Sequence, residues 1–365
     1  MSGRLHFIAE KDFPRWLSEL ACGRELLRPR RLNGDWTFSP SPGEEAPAEP
    51  SPYRAIESLK NFLFPDRETV ARFPDAVSPS PRPRALVGLK ACDLACLPVL
   101  DHIFLRGACA EPFYRQAREE TLLVSQDCAG FKEVCFCPVV GGQPHPLQGF
   151  DLNLTPIPGG YVVETGSEKG EKALEDSSRW FREAREEEIA VRTKRREKVL
   201  QDLKTQLKSQ GQLEKAPSAE RVREKSQDPL WKEESVPCVE CGACNLVCPT
   251  CHCFILEELA ARTGSARLRN WDSCQYPGFS REAGGSNPRP RRSERLSNRF
   301  SKKFQFFPDL IGVIACTGCG RCVEACMGKI DVRTILKRIE SGGRDEVSSV
   351  RCKVSGVRLN SIGVD

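Results

Sequence analysis

Two runs of four cysteines with matching spacing constrain this chain more than any other feature. Residues 238–249 read CVECGACNLVCP and fit the pattern C-x2-C-x2-C-x3-C-P without a gap. Residues 316–327 read CTGCGRCVEACM, with the same spacing but with methionine where the first run has proline. This spacing is typical of cysteines that ligate 4Fe-4S clusters. The small residues between the cysteines let backbone N–H groups approach a negatively charged cluster.

The two runs predict two 4Fe-4S clusters with crossed ligands. In two-cluster ferredoxin modules, the fourth cysteine of each run ligates the other cluster. We therefore expect the first cluster to be held by Cys238, Cys241, Cys244 and Cys326. The second cluster is expected to be held by Cys316, Cys319, Cys322 and Cys248. Zinc is the alternative, since paired C-x2-C motifs also form zinc ribbons, but two matched runs of four favour iron and sulfide.

The remaining cysteines raise the question of further metal sites. The chain has 19 cysteines and only 4 histidines, which in a reducing compartment indicates metal or redox chemistry rather than disulfides. Four thiols that follow two expected strands are candidates for a third iron–sulfur cluster: Cys92, Cys128, Cys135 and Cys137. Their spacing is irregular, so buried cysteines without a ligand are the alternative. For a group next to the first run we favour packing over ligation: Cys251, His252, Cys253 and Cys274.

The bulk composition predicts a cytoplasmic protein without a membrane partner. No run of about 18 apolar residues occurs, and the first residues lack the apolar centre of a signal peptide. The mean hydropathy of -0.43 describes a polar surface. The net charge of +5 comes from 55 basic and 50 acidic residues, which is too near balance to require nucleic acid.

The patterns along the chain predict an α+β protein in four parts. Residues 1–170 read as a mixed α/β domain that could carry an extra cofactor, and residues 171–235 read as a charged helical arm and linker. Residues 236–340 read as a helical domain that contains the two-cluster ferredoxin-like module and a long insertion at 254–310. The last part, 341–365, is a tail without a motif.

Local patterns place several elements in the first two parts. Short apolar runs predict buried strands at 84–90 and 121–127, with helical spacing at 93–105 between them. Residues 152–165 predict a hairpin that turns at two glycines. Residues 171–210 lack proline and glycine and predict one long helix, or two with a break.

A basic stretch lies inside the insertion. Residues 281–303 carry eight basic and two acidic side chains. Three interpretations compete: nucleic-acid binding, docking to an acidic partner, and raising the reduction potential of a nearby cluster. We favour docking, with an ordinary solvated surface as the alternative. One basic stretch in a near-balanced chain is a weak footprint for nucleic acid, so we expect none as a partner.

Several segments together resemble a known family of 4Fe-4S dicluster subunits. This family includes the beta subunit of cytoplasmic sulfhydrogenases and the A subunit of anaerobic sulfite reductase. The matching segments span most of residues 85–335, and WDSCQYPGF followed by AGGSNPRP is the most specific part. The segments are 88–105, 135–137, 149–157, 163–170, 238–254, 271–279, 283–290 and 316–326.

The resemblance implies an iron–sulfur electron-transfer subunit of a multi-subunit anaerobic oxidoreductase, such as a hydrogenase, a sulfite reductase or a heterodisulfide-reductase-like complex. Such a subunit relays electrons between a flavin- or NAD(P)-linked partner and a catalytic subunit, and we expect no catalytic residue in it. One alternative is a catalytic subunit with its own flavin or third cluster in the N-terminal domain; no G-x-G-x-x-G motif announces a flavin, and the sequence leaves that site open. The remote alternative is a nucleic-acid protein with a structural cluster.

Overall fold

The computed structural model describes residues 5–41, 50–74, 77, 79, 83–107, 109–261 and 264–341. It has the mixed α and β content that the sequence predicts. The predicted tail lies outside the described residues, apart from Ser341. Within the described part, no helix combines the length and the apolar character that crossing a membrane requires.

A sheet of eight described strands forms the centre of the N-terminal part, in the order β3-β2-β5-β6-β7-β8-β1-β9. Strands β2, β5, β6 and β7 run parallel to their neighbours in that series, and the remaining pairs are antiparallel. The strands of this sheet are β1 (Leu5–Ala9), β2 (Glu25–Leu32), β3 (Asp35–Pro40), β5 (Arg84–Leu89), β6 (Thr121–Gln126), β7 (Leu152–Ile157), β8 (Gly160–Thr165) and β9 (Arg182–Glu183). A smaller sheet in the order β10-β11-β4 consists of β4 (Arg67–Phe73), β10 (Phe254–Ala261) and β11 (Gly264–Trp271).

The described helices are mostly short. They are α1 (Phe13–Leu20), α2 (Lys60–Leu63), α3 (Ala91–Leu94), α4 (Leu97–Leu105), α5 (Pro112–Glu120), α6 (Glu168–Asp176), α7 (Glu186–Ser209), α8 (Ala219–Glu224), α9 (Leu230–Ser235), α10 (Ala243–Leu246), α11 (Arg292–Ser301), α12 (Phe307–Ile311), α13 (Arg321–Glu324) and α14 (Val332–Ser341). Single turns of 3-10 helix occur at Cys137–Val140 and Ser178–Trp180, and a π-helical turn, Lys302–Phe306, continues α11 into α12.

Strands β5 and β6 are buried on both faces, as the apolar runs within their sequences RALVGL and TLLVSQ predict. One face packs a core that includes Leu86, Leu100 and Phe104, and the opposite face packs a core that includes Trp16 and Leu17. The two strands are parallel neighbours, so their carboxyl ends lie side by side. Loops that leave these ends can therefore bring distant residues together.

Helix α7 lies against the sheet through charged contacts. Arg196 donates from Nε to Asp127 Oδ2 at 2.6 Å, and both Arg192 and Arg196 pair with Glu164 on β8. Most of the helix is exposed, but Leu203 and Leu207 near its end are buried. The predicted segment of 171–210 is thus helical with a break, and its last turns join the C-terminal core.

The C-terminal part is helical, apart from the hairpin in its insertion. Its core combines α8, α9, α11 and α14 through Val222, Trp231, Phe300 and Ile335. The insertion hairpin β10–β11 is not confined to this part, because β11 pairs antiparallel with β4 from the N-terminal part. The two parts therefore share a sheet as well as a core.

Candidate metal centres

The two cysteine runs adopt the same local structure. In each run, a glycine with positive φ precedes a single helical turn that carries the third cysteine: Gly242 (φ 71°) precedes α10, and Gly320 (φ 72°) precedes α13. Glycine is favoured there because side chains with a Cβ rarely adopt this backbone conformation. Helices α10 and α13 pack against each other, so the two runs face one another.

The four cysteines predicted for the first cluster surround one cavity. Its lining also contains apolar side chains from α11 and from the segment that follows the second run, including Leu296, Phe300 and Ile330. Cys322, which we assigned to the second cluster, also faces this cavity. The cysteines predicted for the first cluster that line it are Cys238, Cys241, Cys244 and Cys326.

The four cysteines predicted for the second cluster also lie near one another. Cys248 influences the pKa values of both Cys316 and Cys322, and Cys319 influences that of Cys322. Burial raises the pKa of Cys316 to about 12, against the opposing effect of Lys303. The structure therefore brings Cys248 of the first run to the cysteines of the second run.

Burial opposes the ionisation of several of these thiols. It raises the pKa of Cys244 to about 11, and it raises the pKa values of Cys238 and Cys322 as well. A metal ligates the thiolate form, so metal binding in these cavities displaces protons and supplies the attraction that offsets burial of the charge.

Two buried cations lie between the ligand sets. Arg299 is 6% exposed, donates to Asn245 Oδ1 at 3.1 Å and to the Cys244 carbonyl oxygen at 3.2 Å, and is close to Cys322. Lys303 is 5% exposed and donates to Cys248 Sγ at 3.2 Å and to Thr250 Oγ1 at 2.8 Å. Burial opposes the charge on Lys303, but the sulfurs of Cys248 and Cys251 outweigh it and raise its pKa.

A third buried cation fixes the loop of the first run. Arg295 donates to the carbonyl oxygens of Gln275 at 3.1 Å and Pro290 at 2.6 Å, and it pairs with Glu240 inside the run. The segments 271–279 and 283–290, which are the most specific part of the family resemblance, therefore support the first run through this one guanidinium. Tyr276 from the first of these segments covers Gly242, whose Cβ, if present, would lie 2.7 Å from the tyrosine ring.

These three cations limit our interpretation of the basic stretch. We favoured docking to an acidic partner, but Arg295, Arg299 and Lys303 are buried and take no part in an exposed surface. Arg281, Arg291 and Arg292 are exposed, so docking stays a prediction for that part of the stretch. The three buried cations recur every four residues and therefore lie on one face of the helix formed by α11 and the π-helical turn. That spacing, visible in the sequence, was the signal that could have identified them as inward-facing.

The three cysteines of the group next to the first run take part in two close pairs, one of which includes Cys248 of that run. Cys251 contacts Cys248, while Cys253 contacts Cys274 and, with hydrogen bonds from Asn245 and Gln275, lowers the pKa of Cys274 to about 5. The Asn245 amide lies 3.0 Å from Cys274 Sγ. His252 packs edge-on against Phe307, and burial lowers its pKa to about 4.

The candidate cysteines of the N-terminal part also converge. They line a pocket beyond the carboxyl ends of β5 and β6, next to the loop of the second run. All four predicted residues are present there: Cys92, Cys128, Cys135 and Cys137.

The donor sets fit iron–sulfur clusters. Each predicted set consists only of thiols; those of the first set surround a cavity, and those of the second lie near one another. The buried Thr317 hydroxyl beside the second set has no hydrogen-bond partner among the described residues. Within those same residues, no three side chains of His, Cys, Asp or Glu are grouped tightly enough to hold a single metal ion.

Comparison with known proteins gives two matches. A family model described as a 4Fe-4S dicluster domain matches residues 237–330, which include both cysteine runs and the insertion. The chain is 31% identical over 258 residues to Sulfhydrogenase 2 subunit beta of Pyrococcus furiosus, an alignment that covers 70% of this chain and 74% of that protein.

Proposed function

The chain belongs to the family of 4Fe-4S dicluster electron-transfer subunits that includes Sulfhydrogenase 2 subunit beta, and we propose that it relays electrons within a multi-subunit anaerobic oxidoreductase. The proposed complex is a hydrogenase, a sulfite reductase or a heterodisulfide-reductase-like assembly. In it, the chain connects a flavin- or NAD(P)-linked partner with a catalytic subunit. The observation that carries this proposal is the pair of facing thiol sets in a domain of this family.

We assign the ligands in the crossed arrangement that the sequence predicts. The first-run cysteines Cys238, Cys241 and Cys244 share their cavity with Cys326, while Cys248 lies with the second run. These positions support the crossed assignment. A 4Fe-4S cluster supplies a one-electron donor and acceptor when it is bound.

The chain's own contribution is to hold, insulate and charge-balance the two sites. Leu296 and Phe300 cover the first site with apolar surface, which limits the access of water. Arg299 reaches both sites, and Lys303 donates to a ligand sulfur of the second site. Positive charge and hydrogen bonds to the sulfurs raise cluster potentials, so these side chains favour the reduced state.

Serine variants of single cysteines test the crossed assignment by EPR of the reduced, anaerobically purified protein. We expect Cys238→Ser and Cys326→Ser to perturb one cluster signal, and Cys316→Ser and Cys248→Ser to perturb the other. Each variant is expected to lose up to about four irons, the content of one cluster. Cys22→Ser is the control, because Cys22 is exposed and lines neither cysteine pocket.

If Cys326→Ser and Cys316→Ser perturb the same signal, the ligands are not crossed. Fewer than about eight irons per chain, or zinc in their place, would contradict the two-cluster proposal. The relay itself predicts that the isolated chain exchanges electrons with one-electron dyes and has no reaction with hydrogen or sulfite. Activity with either substrate, or a flavin retained through purification, would instead indicate the catalytic-subunit alternative.

A further inference from the structure

The N-terminal cysteine pocket is built by the sheet topology. Cys92 lies in α3, three residues after the end of β5, and Cys128 lies two residues after the end of β6. Because β5 and β6 are parallel neighbours, these two thiols emerge at the same edge of the sheet. The loop that follows Cys128 returns and adds Cys135 and Cys137. Four thiols from three separate positions thus reach one pocket, although their sequence spacing is irregular.

The loop of the second cysteine run closes this pocket. Gly318 and Cys319 belong to its lining, and the Phe136 amide donates to the Gly318 carbonyl oxygen at 2.8 Å. A Cβ on Gly318 would lie 2.4 Å from Cys137 Cα, so the two backbones touch. The pocket therefore shares a wall with the second ligand set, of which Cys319 is a member.

The pocket is also surrounded by buried positive charge. Lys90 is 0% exposed, and its ammonium donates to the carbonyl oxygens of Ser51 (2.7 Å) and Asp127 (3.4 Å) rather than to a carboxylate of the described chain. Arg54 lines the pocket, donates to the Cys319 carbonyl oxygen at 2.5 Å and also forms an ion pair with Glu324.

One buried donor near the pocket lacks a partner. Arg321 is 3% exposed and forms an ion pair with Asp93 at 2.6 Å, but its Nη1 atom has no hydrogen-bond partner among the described residues. The sulfurs of Cys92 and Cys319 are close neighbours of its guanidinium group. Packing alone explains buried cysteines, but it explains neither a buried ammonium group that donates only to carbonyl oxygens nor an unsatisfied guanidinium donor.

From this arrangement we propose that Cys92, Cys128, Cys135 and Cys137 ligate a third 4Fe-4S cluster. A four-thiolate cluster is negatively charged, so Lys90, Arg54 and Arg321 balance it electrostatically. The site lies outside the matched dicluster domain and extends the relay from Cys319 into the N-terminal part. This inference rests on the proposed function, because a cluster here acts as a neighbour of the second one.

The test compares iron and acid-labile sulfide in the full-length, anaerobically reconstituted protein and in two alanine variants. The wild type is expected to bind about twelve irons, and Cys135→Ala/Cys137→Ala about eight, with the EPR signals of the two other clusters retained. Cys96→Ala is the matched control, because Cys96 is a buried thiol in the same region that lies outside the pocket lining. It is expected to keep about twelve irons.

The outcomes separate this inference from the proposed function. About eight irons in the wild type and in all variants would overturn the third site and leave the two-cluster relay intact. About four or fewer in the wild type would overturn the relay itself. Thermal melting of the apo-proteins identifies a folding defect. If the double variant melts at a lower temperature than Cys96→Ala, Lys90→Met provides the second readout. In that variant, the reduction potential of the cluster that gives the third EPR signal is expected to fall.

Discussion

At the scale of single residues, the ligands could be predicted and their electrostatic partners could not. The cysteine runs are local in sequence, and their spacing is imposed by the cluster itself, so Cys238 or Cys316 can be identified without a structure. Lys303 reaches Cys248 from 55 residues away, and Lys90 and Arg321 approach their pocket from separate parts of the chain. Such partners depend on tertiary contacts, which a single sequence does not show.

Lys303→Met tests the role of buried charge beside the second site. The variant keeps a long side chain but removes a positive charge 3.2 Å from Cys248 Sγ, so we expect the potential of that cluster to fall. A fall of about 60 mV would correspond to a tenfold change for a one-electron couple. The measurement is an EPR-monitored redox titration of the anaerobic protein.

Lys302→Met is the control for this variant. Lys302 precedes Lys303 in the chain and carries the same charged group, but its side chain is only half-buried. We expect a much smaller change in potential from it. Equal shifts in the two variants would mean that the overall charge of the chain, rather than the contact with Cys248, sets the potential.

At the scale of elements, the sequence predicts those strands whose burial leaves a local pattern of apolar residues. Strands β5 and β6 and the hairpin β7–β8 were predicted, because apolar runs and a glycine turn mark them locally. The sheet β10-β11-β4 was missed: β4 reads RETVARF with four charged or polar positions, and its partner β11 lies about 200 residues further along. Pairing at such a distance leaves no local signal.

Gly318→Ala tests the contact between the second-run loop and the Phe136–Cys137 segment. The new Cβ would lie 2.4 Å from Cys137 Cα, so the two backbones must separate, and we expect the free energy of unfolding to fall by about 3 kcal/mol. Gly312→Ala is the matched control: it also has positive φ (70°), but no atom lies within 4 Å of its added Cβ. Its cost is expected to be about 1 kcal/mol, from the backbone alone.

Chemical denaturation of both apo-proteins measures this difference. A cost for Gly318→Ala no larger than that of Gly312→Ala would show that the two backbones can separate freely. The close approach between them would then have no role in holding the pocket wall.

At the scale of the whole molecule, charged contacts join the insertion to the N-terminal part. Arg269 on β11 is 3% exposed, pairs with Glu68 on β4 and with Glu111 at 3.1 Å, and stacks on Phe64. Burial raises the pKa of Glu68, and Arg269 opposes this rise. The guanidinium thus keeps a half-buried carboxylate charged at the seam between the two parts.

Arg269→Met is expected to lower the free energy of unfolding by about 3 kcal/mol, because it leaves Glu68 without its partner. The pKa of Glu68 then rises further in the folded state, so the folded protein binds a proton more tightly than the unfolded chain. The destabilisation is therefore smaller at about pH 5 and grows as pH rises through the raised pKa. Arg267→Met is the control, because Arg267 pairs with Glu258 on the exposed surface.

Denaturant unfolding of the two variants at several pH values tests both the size and the sign of this effect. A pH-independent loss in Arg269→Met would mean that packing on Phe64, and not the charge of Glu68, accounts for the contact. If Arg267→Met loses as much free energy of unfolding as Arg269→Met, the effect belongs to the hairpin in general and not to the contact with Glu68.

The contact at Gly318 also determines when, during synthesis, the N-terminal pocket can be completed. During synthesis, Cys92, Cys128, Cys135 and Cys137 leave the ribosome about 180 to 230 residues before Gly318 and Cys319. The wall of their pocket is therefore missing until the second run has emerged and folded against Phe136. A nascent chain that stalls in between presents four open thiols to the cell. The N-terminal pocket is thus completed only after the second run has been synthesised.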